Sequence, residues 1–242
     1  MRGFAVLVVI LGGVSDARPK LRVMIDAGHG APGNDGNRGA LCQLEKDHTA
    51  WVSSQLAKAL PLLGDFDMRE TRTGISRPTY PQRIHQAEVW KADAIVSIHS
   101  DARGSLTSWK PFEGQETQCF RSDAAPGFSV LWNDSGPAPV VAGRVRLGRA
   151  VISRLIAAGF TPYSGVDYAS LYRPDDVAGG WIDLRPDGQN VYFLRASPRG
   201  PTVIIETHHA ADVTEVAEWQ KPETVQTFAR ALAAALLDAF PR

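Results

Sequence analysis

The chain contains 242 residues, of which 44% are hydrophobic, and its 26 lysines and arginines are matched by 26 aspartates and glutamates. This length and apolar content suffice for one large domain with its own core, and we expect one domain rather than two small ones. The formal net charge of zero excludes a global electrostatic attraction to nucleic acid or to an anionic membrane, so no nucleic acid is expected as a partner.

The first residues have the layout of a signal peptide. One basic residue precedes an apolar run at residues 4–14, and small residues follow that run. We therefore predict a leader at residues 1–17 of an exported protein, followed by one catalytic-sized domain at residues 18–242. The alternative is a buried first strand, because the run is too short to span a bilayer as a helix. No cysteine follows the run directly, so no stable membrane anchor is expected.

Hydrophobic periodicity predicts strands that alternate with amphipathic helices. The predicted strands are residues 22–28, 66–71, 93–99, 127–132, 191–196 and 202–207, and the predicted helices are residues 45–63, 83–90, 145–158 and 225–240. Residues 104–126 are expected to be irregular, and residues 162–190 are expected to form a long surface loop that shapes a site. This alternation indicates an α/β fold with a mostly parallel sheet that is covered on both faces.

The chain has two cysteines, Cys42 and Cys119, which are too few for a disulfide scaffold and lack the C-x-x-C spacing of a redox or metal motif. An oxidising compartment would allow one disulfide between them, and the alternative is two separate buried thiols. The sequence leaves both possibilities open.

Polar side chains stand where three of the predicted strands end. His29 follows the first strand, His99 closes the third, and Glu206 lies near the end of the last. Glu45, at the start of the helix after the first loop, can reach the same edge, because functional groups of open α/β sheets gather beyond the carboxyl ends of the strands. Two imidazoles and one carboxylate form a zinc-binding set with one open position, as catalytic zinc requires. Glu206 is then free for proton transfer, although any single histidine of this kind is more often a core or surface residue.

Four sequence blocks surround these residues: IDAGHG at His29, LEKD at Glu45, ADAIVSIHSDA at His99 and TVIIET at Glu206. Together, and in this order, they resemble the bacterial zinc-dependent N-acetylmuramoyl-L-alanine amidases. The resemblance implies that His29, Glu45 and His99 bind one zinc ion per chain and that Glu206 is catalytic. It also implies a periplasmic hydrolase of the amide bond between N-acetylmuramic acid and L-alanine in peptidoglycan, built on roughly six central strands flanked by helices.

The resemblance is weaker at two places, after His99 and after Glu206. Asp101 stands two residues after His99, where the family has asparagine, and His208 and His209 follow Glu206 in place of the family's usual residues. These three side chains are candidates for contact with substrate or with the groups that orient the ligands. The alternative for the two histidines is a solvated position on a loop.

Two residues upstream are candidates of the same kind. Asp26 either orients His29 or caps the end of the first strand. Arg83 either faces a carboxylate of the substrate or forms a structural ion pair. The sequence does not decide between these roles.

The substrate predicted from the resemblance is polymeric peptidoglycan or a soluble muropeptide, in cell-wall remodelling, daughter-cell separation or recycling. One alternative function is a zinc peptidase that cleaves elsewhere in the stem peptide. Another is a peptidoglycan-binding regulator without catalysis, whose expected mark is the loss of a ligand or of the late glutamate. No such loss is present. Activation by a partner protein stays open.

Overall fold

A computed structural model describes residues 19–168, 170–185, 191–195 and 200–241 of the chain. The leader predicted at residues 1–17 lies outside the described residues. The described residues form an α/β domain around a seven-stranded sheet, and a separate two-stranded sheet lies beside it. Within this described part of the chain, no helix is long and apolar enough to cross a membrane.

The secondary-structure elements follow the predicted alternation along most of the chain. In chain order they are β1 (Leu21–Ala27), α1 (Glu45–Leu63), β2 (Phe66–Glu70), α2 (Tyr80–Trp90), β3 (Ala94–Asp101), β4 (Thr107–Trp109), β5 (Cys119–Arg121), β6 (Ser129–Trp132), α3 (Ala138–Ala157), β7 (Tyr172–Pro174), β8 (Gly180–Asp183), α4 (Tyr192–Arg195), β9 (Thr202–His209), α5 (Val213–Trp219) and α6 (Pro222–Ala239). Helices α2 and α3 begin earlier than predicted. Each has a proline in its first turn, where the missing N–H costs no helical hydrogen bond.

The large sheet has the strand order β2-β1-β3-β9-β6-β8-β7. β1 pairs in parallel with β2 and β3, and β3 pairs in parallel with β9. β6 runs antiparallel to β9 and parallel to β8, and β7 closes the far edge antiparallel to β8. The predicted mostly parallel sheet is therefore confirmed, with seven strands rather than six. The carboxyl ends of the neighbouring strands β1, β3 and β9 lie side by side at the same end of the sheet.

Two predictions in the second half of the chain are wrong. The apolar run at residues 191–196 contains the short helix α4 instead of a strand, because a run of this length is compatible with both. Phe193 and Leu194 of α4 are buried against the sheet. The segment at residues 162–190, predicted as a loop, contributes β7 and β8, which contain only three and four residues and carry no readable period.

The central strands send alternate side chains to two hydrophobic clusters. Val23 and Ile25 of β1 join the larger cluster, together with residues of α1, α3 and α6. Met24, between them, joins the smaller cluster with residues of α2 and α4. Helices therefore cover both faces of the sheet, as predicted. The strands are apolar on both sides, so polar residues at their ends are the exceptions.

A disulfide fastens the small hairpin to the loop that follows β1. Residues 104–126, predicted to be irregular, contain the antiparallel strands β4 and β5. Cys119 in β5 is bonded to Cys42 in the loop before α1. The indole N–H of Trp109 in β4 also donates to the Ala40 carbonyl oxygen at 2.9 Å. The disulfide between Cys42 and Cys119, which the sequence left open, is present in the structure. It holds the hairpin close to the start of α1.

Candidate metal centre

Three of the residues predicted at the sheet edge meet in space. His29 follows β1, Glu45 is the first residue of α1, and His99 lies near the end of β3. Each offers one ligand atom, and these atoms all lie within 4.8 Å of one another. The parallel pairing of β1 with β3 brings the histidines to one edge, and the loop between β1 and α1 returns the glutamate to them.

The carboxylate of Glu45 lies between the two imidazoles. Its Oε2 is 3.0 Å from Nε2 of His29, and its Oε1 is 3.1 Å from Nδ1 of His99. Burial alone would raise the pKa of Glu45, but its hydrogen bonds with both histidines hold that pKa well below the usual range. Burial is the largest influence on each imidazole and lowers its pKa, but the hydrogen bond with Glu45 and the nearby negative charges together outweigh it, so the pKa of both histidines is raised. The cluster thus attracts positive charge, which protons or one metal cation can supply.

Glycines make room for this cluster. A Cβ at Gly28 would lie 2.5 Å from Nε2 of His99, and a Cβ at Gly36 would lie 2.6 Å from Oε2 of Glu45. Gly36 also has φ +77°, a left-handed conformation that side chains rarely adopt. His29 itself is left-handed, with φ 58°. The glycine-rich loop is therefore required by the close approach of backbone to the three side chains.

Two asparagines of that loop, which were not predicted as site residues, orient the cluster. Oδ1 of Asn34 lies 2.7 Å from Nδ1 of His29, and its amide nitrogen donates to the Tyr80 hydroxyl, so the imidazole is the donor in that contact. Nε2 of His29 therefore faces the carboxylate. Asn37 donates from both its backbone N–H and its side chain to Oε2 of Glu45, at 3.1 and 2.8 Å. Such outer partners fix ring orientation and tautomer in metal sites.

Asp26 and Arg83 form a buried pair beneath the cluster. Asp26 accepts hydrogen bonds from Arg83, Thr71 and Ser97, and no described contact joins its carboxylate to the His29 ring. Arg83 is 0% exposed and donates to the backbone carbonyl oxygens of Ala27 and His29. The pair therefore holds the backbone turn that carries His29, and the guanidinium does not reach solvent.

Glu206 lies in β9 directly opposite His99 in the strand register. It lines a cavity of about 420 Å³ beside the cluster. Its Oε2 is buried and has no hydrogen-bond partner among the described residues. Burial first, and the nearby charge of Asp101 second, raise the pKa of Glu206 to about 8. A carboxyl group tuned in this way is suited to give and take protons near neutral pH.

Asp101, at the end of β3, lines the same cavity. Its Oδ2 accepts hydrogen bonds from Nε of Arg103 at 3.1 Å and from the Tyr168 hydroxyl at 2.5 Å. The Arg103 guanidinium packs over the Tyr163 ring at 3.9 Å. Arg103 and Tyr168 were not predicted as site residues, although Tyr168 lies in the segment 162–190 that was expected to shape a site.

The two histidines after Glu206 turn away from the cavity. His208 is 2% exposed, and its ring stacks on Trp219 at a centroid distance of 5.4 Å and contacts the edge of His48. His209 is also buried; its Nδ1 accepts from the Arg103 backbone N–H. Burial lowers the pKa of both histidines. Neither of the two lies on a solvated loop: both are buried residues at the end of β9, the strand that carries Glu206.

The cluster fits a zinc ion by three independent features. Its donors are two imidazole nitrogens and a carboxylate oxygen, the set that catalytic zinc sites use with one position open. The glycines leave space where any side chain would collide with the ligands. The unpartnered oxygen of Glu206 lies on the neighbouring strand, where an acid/base group is needed.

Two histidines and two glutamates gathered at one end of the sheet give this α/β protein a candidate metal site with a neighbouring carboxyl group. Its sequence shows the family more closely: residues 23–238 match the family model described as N-acetylmuramoyl-L-alanine amidase. The chain belongs to that family, and the resemblance drawn from the four sequence blocks is confirmed. Among curated proteins, no significant sequence match was found.

Several solved structures of similar fold are described as amidases. N-acetylmuramoyl-L-alanine amidase AmiC2 of Nostoc punctiforme has a TM-score of 0.63 and 22% identity, covering 92% of this chain and 98% of that chain. An N-acetylmuramoyl-L-alanine amidase from Clostridium difficile 630 has a TM-score of 0.66 and 19% identity, with coverages of 91% and 96%. The CwlD amidase from Clostridioides difficile, solved in complex with the GerS lipoprotein, has a TM-score of 0.57 and 18% identity, with coverages of 90% and 97%. At these identities the likeness establishes the shared fold.

Proposed function

We propose that this protein is a zinc-dependent hydrolase of the amide bond between N-acetylmuramic acid and L-alanine in peptidoglycan. The observation that carries the proposal is the convergence of His29, Glu45 and His99 within 4.8 Å of one another, on strands and loops next to the buried, unpartnered oxygen of Glu206. Membership of the amidase family supports the choice of bond.

In this proposal His29, Glu45 and His99 hold the metal, and Glu206 handles protons. Zinc in such a site acts as a Lewis acid toward water and a carbonyl oxygen. Glu206 accepts the proton of the attacking water and returns it to the nitrogen of the leaving L-alanine. Glu206 lines the cavity that substrate would enter, and the lack of a hydrogen-bond partner among the described residues leaves its carboxyl group free for this proton transfer. Asn34 and Asn37 keep the ligands in one orientation throughout.

The biological setting follows from the same proposal. The substrate is polymeric peptidoglycan or a muropeptide released from it, reached after export to the periplasm. The reaction would serve wall remodelling, separation of daughter cells or recycling. A protein activator is compatible with this setting, and the relative CwlD is recorded in complex with a lipoprotein.

Metal analysis and digestion of purified peptidoglycan test the proposal together. The purified protein is expected to bind one zinc ion and to release stem peptides that begin with L-alanine. Glu206→Gln should keep the zinc and lose roughly 100- to 10,000-fold in kcat, the usual range for a general acid/base. Glu218→Gln, which removes an exposed carboxylate paired with Lys221, is the matched control and should keep full activity.

Three outcomes would overturn parts of the proposal. Absence of stoichiometric zinc would remove the metal site. Fragments cut within the stem peptide would identify a peptidase, and binding of peptidoglycan without cleavage would identify a regulator. Full turnover by zinc-loaded Glu206→Gln would remove Glu206 from the reaction.

A further inference from the structure

The wall of the cavity beside Glu206 contains a closed ring of hydrogen bonds. Nε of Arg103 and the hydroxyl of Tyr168 both donate to Oδ2 of Asp101. Another guanidinium nitrogen of Arg103 donates to Oγ of Ser129 at 3.4 Å, and the two hydroxyls of Ser129 and Tyr168 are 3.1 Å apart. Since the Tyr168 proton points to Asp101, Ser129 must donate to Tyr168. The four side chains therefore fix one another.

The positive charge in this ring is turned inward. Arg103 is 3% exposed, and one of its terminal nitrogens also donates to the backbone carbonyl oxygens of Ala125 and Gly127. Its hydrogen-bonding capacity is directed to protein atoms. The guanidinium is therefore engaged by the protein and is a poor partner for an anionic group of a ligand.

The carboxylate of Asp101, in contrast, faces the cavity. Its side chain is 29% exposed, and Oδ1 receives no hydrogen bond from any residue that the structure describes. Glu206 lines the same cavity. A group entering the cavity thus meets the free Oδ1 of Asp101 next to the position of the proposed reaction.

The geometry points to Asp101 as a specificity-determining residue, whose Oδ1 accepts a hydrogen bond from an N–H of the substrate and which disfavours a substrate carboxylate at that place. This inference rests on the proposed function. Asp101 follows the proposed ligand His99 by two residues in β3, which is about 7 Å along a strand. Successive Cα atoms of a peptide are about 3.8 Å apart, so the groups within reach of Asp101 are those one or two residues from the scissile amide. In a stem peptide that includes the second residue, which carries either a carboxylate or a carboxamide. The carboxamide form offers an N–H donor for Oδ1 of Asp101.

The test compares two synthetic N-acetylmuramoyl tripeptides that differ only in a carboxylate or a carboxamide on the second residue. The zinc-loaded protein should prefer the carboxamide by about tenfold in kcat/KM, as for a partly solvated contact between like charges. Asp101→Asn keeps the shape and one acceptor oxygen but removes the charge. The ratio of the two kcat/KM values should therefore fall toward unity, because kcat/KM for the carboxylate substrate rises. Asp176→Asn, at a 93% exposed side chain, removes the same charge elsewhere and should keep the wild-type preference.

Tyr168→Phe provides a second variant if Asp101→Asn folds poorly. It removes the phenol that holds Asp101 and should reduce the preference without abolishing cleavage. Equal cleavage of both substrates by the wild type, or an unchanged preference in Asp101→Asn, would overturn the inference and leave the proposed function standing. If the wild-type protein cleaved neither synthetic substrate nor peptidoglycan, that result would instead count against the proposed function.

Discussion

Removing the disulfide between Cys42 and Cys119 should destabilise the protein by several kcal/mol. The bond joins residues separated by 77 positions, and the chain-entropy relation for a closed loop of that size gives about 4.5 kcal/mol at room temperature. This value is an upper limit, because a compact denatured chain has less freedom to lose. We expect the free energy of unfolding to fall by at least about 2 kcal/mol, the low end for native disulfides.

Urea unfolding of the metal-free protein measures this effect. The oxidised wild type, the reduced wild type and the Cys42→Ala/Cys119→Ala double variant are followed by tryptophan fluorescence and circular dichroism. Both forms without the bond should unfold at lower urea, and their m values should increase because the denatured chain expands. Adding reductant to the double variant controls for effects of the reductant itself. Equal midpoints for the oxidised and reduced wild type would refute the reasoning.

Two further predictions concern residues around the cluster. Asn34→Ala removes the acceptor for Nδ1 of His29 and should weaken zinc binding by roughly 10- to 100-fold in competition with a chromophoric chelator, whereas Asn34→Asp keeps an acceptor and should bind zinc like the wild type. An unchanged dissociation constant in Asn34→Ala would contradict the assigned role. Burial lowers the pKa of His48 from 6.5 to about 4, so between these values the unfolded chain binds more protons than the folded one. The free energy of unfolding should therefore fall by about 3 kcal/mol as the pH drops from 6.5 to 4, and His48→Gln should show a shallower decline; identical pH dependence in both proteins would exclude this contribution.

The first half of the sheet could be predicted because its strands are continuous apolar runs that end in polar residues. β3, for example, is buried along nearly its whole length and changes to polar side chains at its end. β7 and β8 could not be predicted in this way, because strands of three and four residues among Asp, Gly and Pro carry no period. Their place in the sheet depends on the pairing of β8 with β6, which is a tertiary contact.

The candidate site shows the same division. His29, Glu45, His99 and Glu206 could be found because each sits at the boundary of an apolar element, and their roles as ligands and base stay predictions. The hydrogen bonds that build the cavity beside them could not be found from local sequence. Tyr168, for instance, reaches Asp101 across 67 positions of the chain, through a hydrogen bond that only the folded structure creates.

The two halves of the chain divide the work of the site. All three proposed ligands precede residue 100, whereas Tyr168, Leu171 and Tyr172, which form one wall of the cavity, belong to a later segment. Substitutions in that segment can reshape the cavity while the cluster stays intact. Asp167, Tyr168, Leu171 and Tyr172 are therefore the place to change which substrates the cavity accepts without touching the proposed ligands.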